Sequence, residues 1–330
     1  MENEIIAIIV SSIVAFFTVY LITPILIRWL EKKNLCVQDV NKKGKVMVAR
    51  PGGISIIIGA VSAELVLYAF IPLNEILVII ITTCAAFVVG LIDDRKVMGG
   101  WFKPIALAIS AVPIILFGAY DSDLAFPLFG EVHIPILYLA VIILMITITG
   151  NTINSIDVLN GVASGFMTIA SSALTISLFV IGNYQIAAVC FPLVLISLAF
   201  YKYHKYPSRI FPGDSGALVL GVMYGAIAIV GQVEVIAAVA LLPAVINSFL
   251  FLSSMKRIVE HRQIKAKPVS HTDDFKLKAT SNKDAPVTLV RLILAGGPLG
   301  EKQITFTIFR LTVFSGILAV ISAFMMGVSL

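Results

Sequence analysis

The sequence predicts an all-α, polytopic membrane protein with about ten transmembrane helices and a cytoplasmic insertion before the last of them. The first observation is composition, because 59% of the 330 residues are hydrophobic and only 13% are charged. Soluble proteins carry about twice that charged fraction. The second observation is the length of the apolar runs, and the third is the distribution of lysine and arginine between them.

The apolar runs are each roughly 16–26 residues long, close to the ~20 residues that a helix needs to cross a bilayer. They lie near residues 5–30, 53–72, 75–92, 104–119, 134–152, 162–181, 185–202, 215–232, 234–254 and 305–327. We expect them to form a single transmembrane domain that comprises residues 1–330. The first run is too long, and Met1–Glu4 lacks the basic residues, for a cleaved signal peptide.

All 24 lysine and arginine residues fall in alternate gaps between these runs, or in the adjoining ends of the runs. The cationic gaps lie at residues 31–52, 93–103, 202–214 and 255–304. Cytoplasmic loops carry the excess of lysine and arginine, so we predict that these gaps face the cytoplasm and that both termini face outward. The gap at 153–161 has no cation, but the alternation places it on the same side.

The longer loops differ in charge and in expected structure. The acidic outer loop at 120–133 is expected to form a small hairpin. In the insertion at about 255–304 we expect a partly β or irregular middle, and then a short helix over Ala285–Leu294 on the membrane face. We attribute the net charge of +5 to membrane topology and to contact with anionic lipid, so we predict no nucleic-acid binding. The three cysteines are unpatterned, which implies neither a disulfide nor a zinc site.

Polar residues gather at the cytoplasmic ends of the runs, where intramembrane carboxylates are costly and therefore functional candidates. Asp93 and Asp94 end the third run, and adjacent carboxylates suit a divalent cation, a phosphate-handling base, or both. The alternative is a pair of solvated acids beside Arg95 and Lys96. Glu64 lies deep in the second run, and the sequence assigns it no role.

The end of the fifth run carries a second polar constellation. Asn151, Asn154 and Asp157 recur at every third position, so on a helix they form one slanted stripe. Amide oxygens can ligate Mg²⁺, amides can read the edge of a base, and Asn160-Gly161 favours a turn before the next run. The alternative is helix capping and interhelical hydrogen bonding, although capping does not explain several polar side chains on one stripe.

Asp214 precedes the eighth run, where it could cap the helix, and the positive helix end also favours a bound anion. A set of cations in the inner gaps would suit a pyrophosphate, whose charge a metal alone would not neutralise. These cations are Lys103, His261, Arg262, Lys265 and Lys267. The alternative for each lysine is an ordinary positive-inside residue or a contact to a lipid headgroup.

In their order along nearly the whole chain, these motifs resemble those of the polyprenyl-phosphate N-acetylhexosamine-1-phosphate transferases. The resemblance rests on Arg50-Pro51-Gly52-Gly53, Asp93-Asp94 with Lys103, Asn151 through Gly161, and Pro212-Gly213-Asp214-Ser215-Gly216. Two further stretches are similar to the dolichyl-phosphate branch, at Gln38–Lys42 and at Thr288–Leu294 with Gly297-Pro298. Asp157 and Arg50–Gly53 resemble the bacterial pattern, and a mixture of both patterns suits an archaeal enzyme.

The resemblance implies transfer of GlcNAc-1-phosphate from UDP-GlcNAc to dolichyl or another polyprenyl phosphate, with release of UMP, as the first lipid-linked step of N-glycan assembly. It implies a Mg²⁺ cofactor, replaceable by Mn²⁺, held by Asn154 and Asp214. The implied catalytic residues are Asp93, Asp94 and Lys103. The implied residues for binding the nucleotide sugar are Asn151, Asp157, Asn160, Gly161, His261 and Arg262. The active site would face the cytoplasm, and a homodimer is compatible with this interpretation.

One departure and two alternative functions stay open. Eukaryotic relatives have Arg-His-Arg where this chain has Glu260-His261-Arg262, so one cation is missing or is supplied elsewhere, for instance by Lys265. A bacterial-type enzyme that loads a MurNAc-pentapeptide, or another hexosamine-1-phosphate transferase, is the nearest alternative. A membrane transporter is the alternative of a different class, but it needs polar groups near the bilayer midplane, where only Glu64 lies.

Overall fold

A computed structural model describes residues 2–96, 98–256, 264 and 266–326, without the side chains of residues 2–5. The helices are α1 (Glu2–Lys32), α2 (Gly53–Phe70), α3 (Asn74–Arg95), α4 (Phe102–Ser110), α5 (Val112–Leu116), α6 (Pro135–Ile156), α7 (Val162–Val180), α8 (Tyr184–His204), α9 (Gly213–Val230), α10 (Glu234–Ala240), α11 (Leu242–Met255), α12 (Leu289–Ile293) and α13 (Glu301–Met326). The strands are β1 (Cys36–Gln38), β2 (Met47–Ala49), β3 (Asp123–Phe126), β4 (Gly130–His133), β5 (Val269–His271) and β6 (Leu277–Ala279).

The part of the chain that the structure describes is predominantly helical and forms a multi-pass bundle, as predicted. Eight of its helices are long and apolar enough to cross a membrane, and the pair α10 and α11, bent by 75°, raises the number to nine. The predicted count of ten is not confirmed. The run at 104–119 forms only α4 and α5, whose span Phe102–Leu116 is about 22 Å long, shorter than the ~30 Å hydrocarbon core.

Proline explains both interruptions. Pro113 stands in the first turn of α5, and Pro243 stands in the first turn of α11. A proline lacks the N–H that would continue the preceding helix, and its ring collides with the carbonyl one turn earlier. Each apolar run therefore divides just before its proline, although its hydrophobicity is that of a continuous span.

Helix α9 forms the centre of the bundle, with 94% of its most apolar stretch buried by other helices. It packs against α2, α3 and α6. At the crossing with α3, a β-carbon added to Gly90 would lie 2.4 Å from the Cα atom of Ser215. Only glycine permits so close an approach of two backbones. The contact brings the acidic end of α3 against the first turn of α9.

Large apolar side chains cover the outside of the bundle. On α1 the exposed ones recur at intervals of three or four positions, so they form a single face. These residues are Ile6, Ile9, Ile13, Phe17, Leu21 and Ile25. Such a face would be unstable in water and is typical of a helix that faces lipid.

The loops form the types of structure that the sequence predicts. Strands β3 and β4 pair in antiparallel register from Asp123 with His133 to Phe126 with Gly130, which confirms the small hairpin in the acidic loop. The insertion contains the β5–β6 hairpin and α12. Its helix is shorter than the predicted Ala285–Leu294 segment, because the carbonyls of Ala285 and Pro286 accept hydrogen bonds from the Arg291 guanidinium instead of from helical N–H groups.

Candidate active site

The loops that precede α2 and α9 are joined by backbone hydrogen bonds. The Phe211 N–H donates to the Ala49 carbonyl at 3.0 Å, and the Gly52 N–H donates to the Phe211 carbonyl at 2.8 Å. The Gly53 N–H then donates to the Pro212 carbonyl at 2.9 Å. These bonds align the end of β2 with the start of α9, so the side chain that follows β2, Arg50, reaches the first turn of α9.

Arg50 connects two carboxylates from different helices. Its Nη2 atom donates to Asp94 Oδ1 at 2.9 Å and to Asp214 Oδ2 at 2.6 Å. The sequence identified Arg50 only as part of a motif and gave it no role in the site. A cation just before Pro51-Gly52 was the available signal, but the pairing of residues 49–53 with 210–212 could not be read from either segment alone.

Asp94 caps α9 from another helix. Its Oδ1 accepts the Asp214 N–H at 2.9 Å, and its Oδ2 accepts both the N–H and the hydroxyl of Ser215, at 2.9 and 2.7 Å. These are N–H groups that a helix start leaves without an internal partner. The alternative in which Asp214 caps α9 is therefore wrong, because Asp94 accepts the first N–H groups of the helix. The helix's own N-cap residue, Pro212, makes no side-chain capping bond.

Asp214 points instead to side chains. Its Oδ1 accepts hydrogen bonds from Lys103 Nζ at 2.7 Å and from Asn154 Nδ2 at 3.0 Å, while its Oδ2 accepts from Arg50. Only 3% of Asp214 is exposed. Helices α4, α6 and α9 thus contribute one polar side chain each to a single junction.

Asp93 faces a different way from its neighbour. Its Oδ1 accepts the Met98 N–H at 2.9 Å, and its Oδ2 lies 3.0 Å from Lys103 Nζ. Lys103 is therefore held between Asp93 and Asp214, and 6% of it is exposed. Both predicted acids lie at the site, but they make different contacts. Asp93 orients Lys103, and Asp94 caps α9.

Asn154 and Asp214 form a donor set that fits Mg²⁺. A 180° rotation of the Asn154 amide would place its oxygen, instead of its nitrogen, at 3.0 Å from Asp214 Oδ1. Neighbouring oxygens of an octahedral Mg²⁺ shell lie about 2.9 Å apart. The described residues contain no cluster of three or more His, Cys, Asp or Glu side chains that could hold a metal. Further ligands would therefore be water or phosphate oxygens, as Mg²⁺ prefers.

A cavity of about 290 Å³ opens at this end of the bundle. Two groups of polar residues line it. The first contains Arg50, Lys103, Asn154 and Asp214, and the second contains Asp39, Asn41 and Asn160. Apolar side chains adjoin the second group in sequence. These are Val37, Val40, Val158 and Leu159.

Asn160 is buried, with 2% exposed, and its side chain is fully engaged. Its Nδ2 donates to Asp39 Oδ2 at 3.1 Å and to Glu301 Oε1 at 2.5 Å. Its Oδ1 accepts the Ser208 N–H at 2.7 Å. The predicted turn at Asn160-Gly161 is present, and Gly161 adopts a φ of 84° there. The sequence did not identify Asp39 and Glu301 as hydrogen-bond partners of the Asn160 side chain.

Asp157 follows the last turn of α6 and lines the cavity. Burial raises the pKa of its carboxyl to about 7, although a backbone hydrogen bond from Ala163 and the nearby Arg50 charge act in the opposite direction. Its Oδ1 lies 3.6 Å from Nε2 of His204, whose Nδ1 lies 2.9 Å from the Ser164 hydroxyl. The sequence gave His204 no role, since a histidine near a helix end carries no distinctive signal.

The remaining predicted residues are less central. The Asn151 amide donates to the Thr147 carbonyl of its own helix at 2.9 Å, and Asn151 is not among the residues that line the cavity. Gly161 forms the turn without lining the cavity. His261, Arg262 and Lys265 lie outside the residues that the structure describes.

Comparison with known sequences identifies relatives over most of the chain. A protein of Saccharolobus solfataricus, provisionally named a UDP-N-acetylglucosamine–dolichyl-phosphate N-acetylglucosaminephosphotransferase, is 27% identical over 96% of this chain and 97% of its own length. A Bacillus subtilis protein, provisionally named an undecaprenyl-phosphate N-acetylglucosaminyl 1-phosphate transferase, is 27% identical over 82% of this chain and 77% of its own. A phospho-N-acetylmuramoyl-pentapeptide-transferase of Thermodesulfovibrio yellowstonii is 26% identical over 69% of this chain and 73% of its own.

A sequence model of glycosyl transferase family 4 matches residues 76–232. This segment contains Asp93, Asp94, Lys103, Asn154 and Asp214, the residues that meet at the polar end of the bundle. The family match and the site therefore fall on the same part of the molecule. Over residues 76–232 the chain is similar to glycosyl transferase family 4.

Proposed function

We propose that this protein transfers GlcNAc-1-phosphate from UDP-GlcNAc to dolichyl or another polyprenyl phosphate and releases UMP. One observation carries the proposal above all: Asn154 and Asp214, a donor pair suited to Mg²⁺, meet Arg50 and Lys103 in one cavity. Acidic and amide oxygens beside a buried lysine and a half-buried arginine suit a metal-bound pyrophosphate. The names of the Saccharolobus and Bacillus relatives support the same donor and acceptor classes.

The chemistry is a phosphoryl-type substitution in which the protein supplies position and charge. An oxygen of the acceptor phosphate attacks the sugar-linked phosphorus of the donor. The bond from that phosphorus to the bridging oxygen breaks, and UMP leaves with the electron pair. Mg²⁺ held by Asn154 and Asp214, for which Mn²⁺ could substitute, would neutralise charge on the pyrophosphate. Arg50 and Lys103 supply the remaining positive charge.

No side chain has to act as an obligatory base. A phosphate monoester has a second pKa of about 6, so the acceptor is largely dianionic near neutral pH. Asp94 has its oxygens committed to Arg50, Asp214 and Ser215, and it therefore supports α9. Asp93 orients Lys103, which can turn from the carboxylates toward the acceptor phosphate.

The second polar group suits the nucleoside part of the donor. Asp39, Asn41 and Asn160 lie among apolar side chains, as a site for a planar ring and a ribose requires, whereas the cations belong to the first group. Asp157 also lines the cavity, and in sequence it lies between Asn154 of the first group and Asn160 of the second. The residues that we retain as predicted to bind the donor are Asn151, Asp157, Asn160, Gly161, His261 and Arg262.

The site is proposed to face the cytoplasm and both termini to face outward, as the distribution of lysine and arginine predicts. Cysteines introduced at Lys283, in the insertion, and at Phe129, at the tip of the β3–β4 hairpin, test this. Both positions are exposed. In intact cells a membrane-impermeant maleimide should label only Phe129→Cys. Labelling of Lys283→Cys without permeabilisation would contradict the proposed orientation.

The function is tested by incubating the purified protein with polyprenyl phosphate and one of three donors: UDP-GlcNAc, UDP-GalNAc or UDP-MurNAc-pentapeptide. We expect UDP-GlcNAc to give a lipid-linked product, EDTA to stop its formation, and Mg²⁺ or Mn²⁺ to restore it. A product only from UDP-MurNAc-pentapeptide would favour the second candidate, the activity named for the Thermodesulfovibrio relative. No product from any donor would contradict the proposed class of reaction.

A further inference from the structure

Glu301, the first residue of α13, is buried and holds the turn that precedes α7. Its Oε1 accepts both the backbone N–H of Asn160, at 2.8 Å, and the side-chain amide of Asn160, at 2.5 Å. Two hydrogen bonds from one residue to one oxygen fix both the position and the orientation of that residue. Glu301 itself is not among the residues that line the cavity, whereas Asn160 is.

The other oxygen of Glu301 holds a different wall of the cavity. Its Oε2 accepts from Lys42 Nζ at 2.8 Å, and the same ammonium lies 3.8 Å from Asp39 Oδ2 and 3.1 Å from the centre of the Tyr206 ring. Asp39 in turn accepts from the amide of Asn160. Glu301 therefore connects the β1–β2 loop, the α6–α7 turn and the α8–α9 loop to the last helix.

We propose that Glu301 is a positioning residue for the donor, an inference that rests on the proposed transfer from a nucleotide sugar. Asp39 and Asn160 come from segments far apart in sequence and are bonded to each other. The Glu301–Lys42 ion pair joins them a second time, because Glu301 binds Asn160 and Lys42 lies beside Asp39. Glu301 thereby shapes the nucleoside part of the cavity. The contacts described for Glu301 are with Asn160 and Lys42, and through them it reaches the nucleoside part of the cavity.

The inference predicts a selective loss of donor affinity. In Glu301→Ala the KM for UDP-GlcNAc should rise at least about tenfold, the size of effect expected when charge-assisted hydrogen bonds are lost. The kcat and the KM for polyprenyl phosphate should change less than about threefold. Glu301→Gln keeps an oxygen that can accept both bonds from Asn160, so it should restore most of the donor affinity.

The control is Gln303→Ala. Gln303 lies in the same first turn and its side chain accepts the Gly300 N–H, so the change disturbs the start of α13 without touching Asn160. Its donor KM should equal that of the unaltered protein. A matching rise in Gln303→Ala would show that Glu301 matters only for the helix start, and would overturn the inference.

A second variant keeps the test decisive if Glu301→Ala does not fold. Glu301→Asp retains the charge, but its side chain is shorter by one methylene, which breaks both hydrogen bonds from Asn160. Its donor KM should rise several-fold, and UDP-GlcNAc should raise its thermal unfolding temperature less than that of the unaltered protein. An unchanged donor KM in Glu301→Asp would overturn the inference. Absence of transfer by the unaltered protein would instead refute the proposed function.

Discussion

The carboxylate of Asp94 accepts the backbone N–H of Asp214 at 2.9 Å, so one acid of the site fixes the main chain of another. Asp94 also accepts both donors of Ser215 and pairs with Arg50, which in turn donates to the Asp214 carboxylate. The position of the Asp214 carboxylate is thus determined by contacts outside its own helix. Because both oxygens of Asp94 are engaged in these contacts, we expect it to act by positioning Asp214.

Asp94→Ala should lose stability and activity together. The change removes the cap of α9 and leaves buried N–H groups without an acceptor, which should lower the free energy of unfolding by about 1–3 kcal/mol. Thermal unfolding in detergent and UMP release, measured on the same preparation, check this. Full stability with complete loss of turnover would show that Asp94 acts in the chemistry instead of supporting α9.

Asp214→Ala should abolish turnover while the protein stays folded. Lys103 retains Asp93 and Arg50 retains Asp94 as a partner, so neither cation is left without a carboxylate. The unfolding temperature should fall only slightly, and saturating Mg²⁺ should not restore activity. Ser215→Ala, which removes one hydroxyl contact to Asp94, serves as the control and should keep most activity. Near-normal turnover of Asp214→Ala at saturating Mg²⁺ would remove Asp214 from the proposed metal site.

Lys103→Met should move metal affinity and turnover in opposite directions. The ammonium lies 2.7 Å from Asp214 Oδ1 and repels a divalent cation bound to the same oxygen. Its removal should tighten binding of Mn²⁺ several-fold, as measured by electron paramagnetic resonance titration. Turnover should nevertheless fall at least about a hundredfold, because a cation for the phosphates is lost. Weaker binding of Mn²⁺ would indicate that Lys103 supports the metal site structurally.

Gly213→Ala should impair both folding and activity. Gly213 has a φ of +72°, and an added β-carbon would lie 2.7 and 2.8 Å from the two carboxylate oxygens of Asp94. The variant must displace Asp94 and with it the cap of α9. Gly118→Ala is the matched control, since Gly118 has a similar φ of +62° but no atom within 4 Å of an added β-carbon. Equal losses in both variants would mean that backbone strain alone is responsible.

The sequence predicted much of the fold because lipid imposes a simple rule on it: every span has to be long, apolar and helical. It also predicted that the polar ends of α3, α6 and α9 face the same side. The predicted number of ten spans is not confirmed, since hydrophobicity does not register the break that Pro113 introduces. The length of α12 was likewise set by contacts of Arg291 that no local pattern indicates.

The details of the site depended on contacts between distant segments. The Asp93-Asp94 pair, Asn154 and Asp214 were recognisable because acids and amides are rare at membrane helix ends. The different contacts of Asp93 and Asp94 could not be recognised from the sequence, since the two residues differ only in the direction of their side chains. Arg50 and Glu301 lie in a loop and at a helix start, where charged residues are common, so only the folded chain distinguishes them.

The most direct test of the central claim is the fate of the donor's β-phosphate. The purified protein is incubated with Mg²⁺, polyprenyl phosphate and UDP-GlcNAc that carries ³²P in its β-phosphate, and the lipid and water-soluble products are separated. Transfer of GlcNAc-1-phosphate predicts label in the lipid and unlabelled UMP in the aqueous phase. Label that stays in the aqueous phase as UDP, while GlcNAc passes to the lipid, would contradict the account.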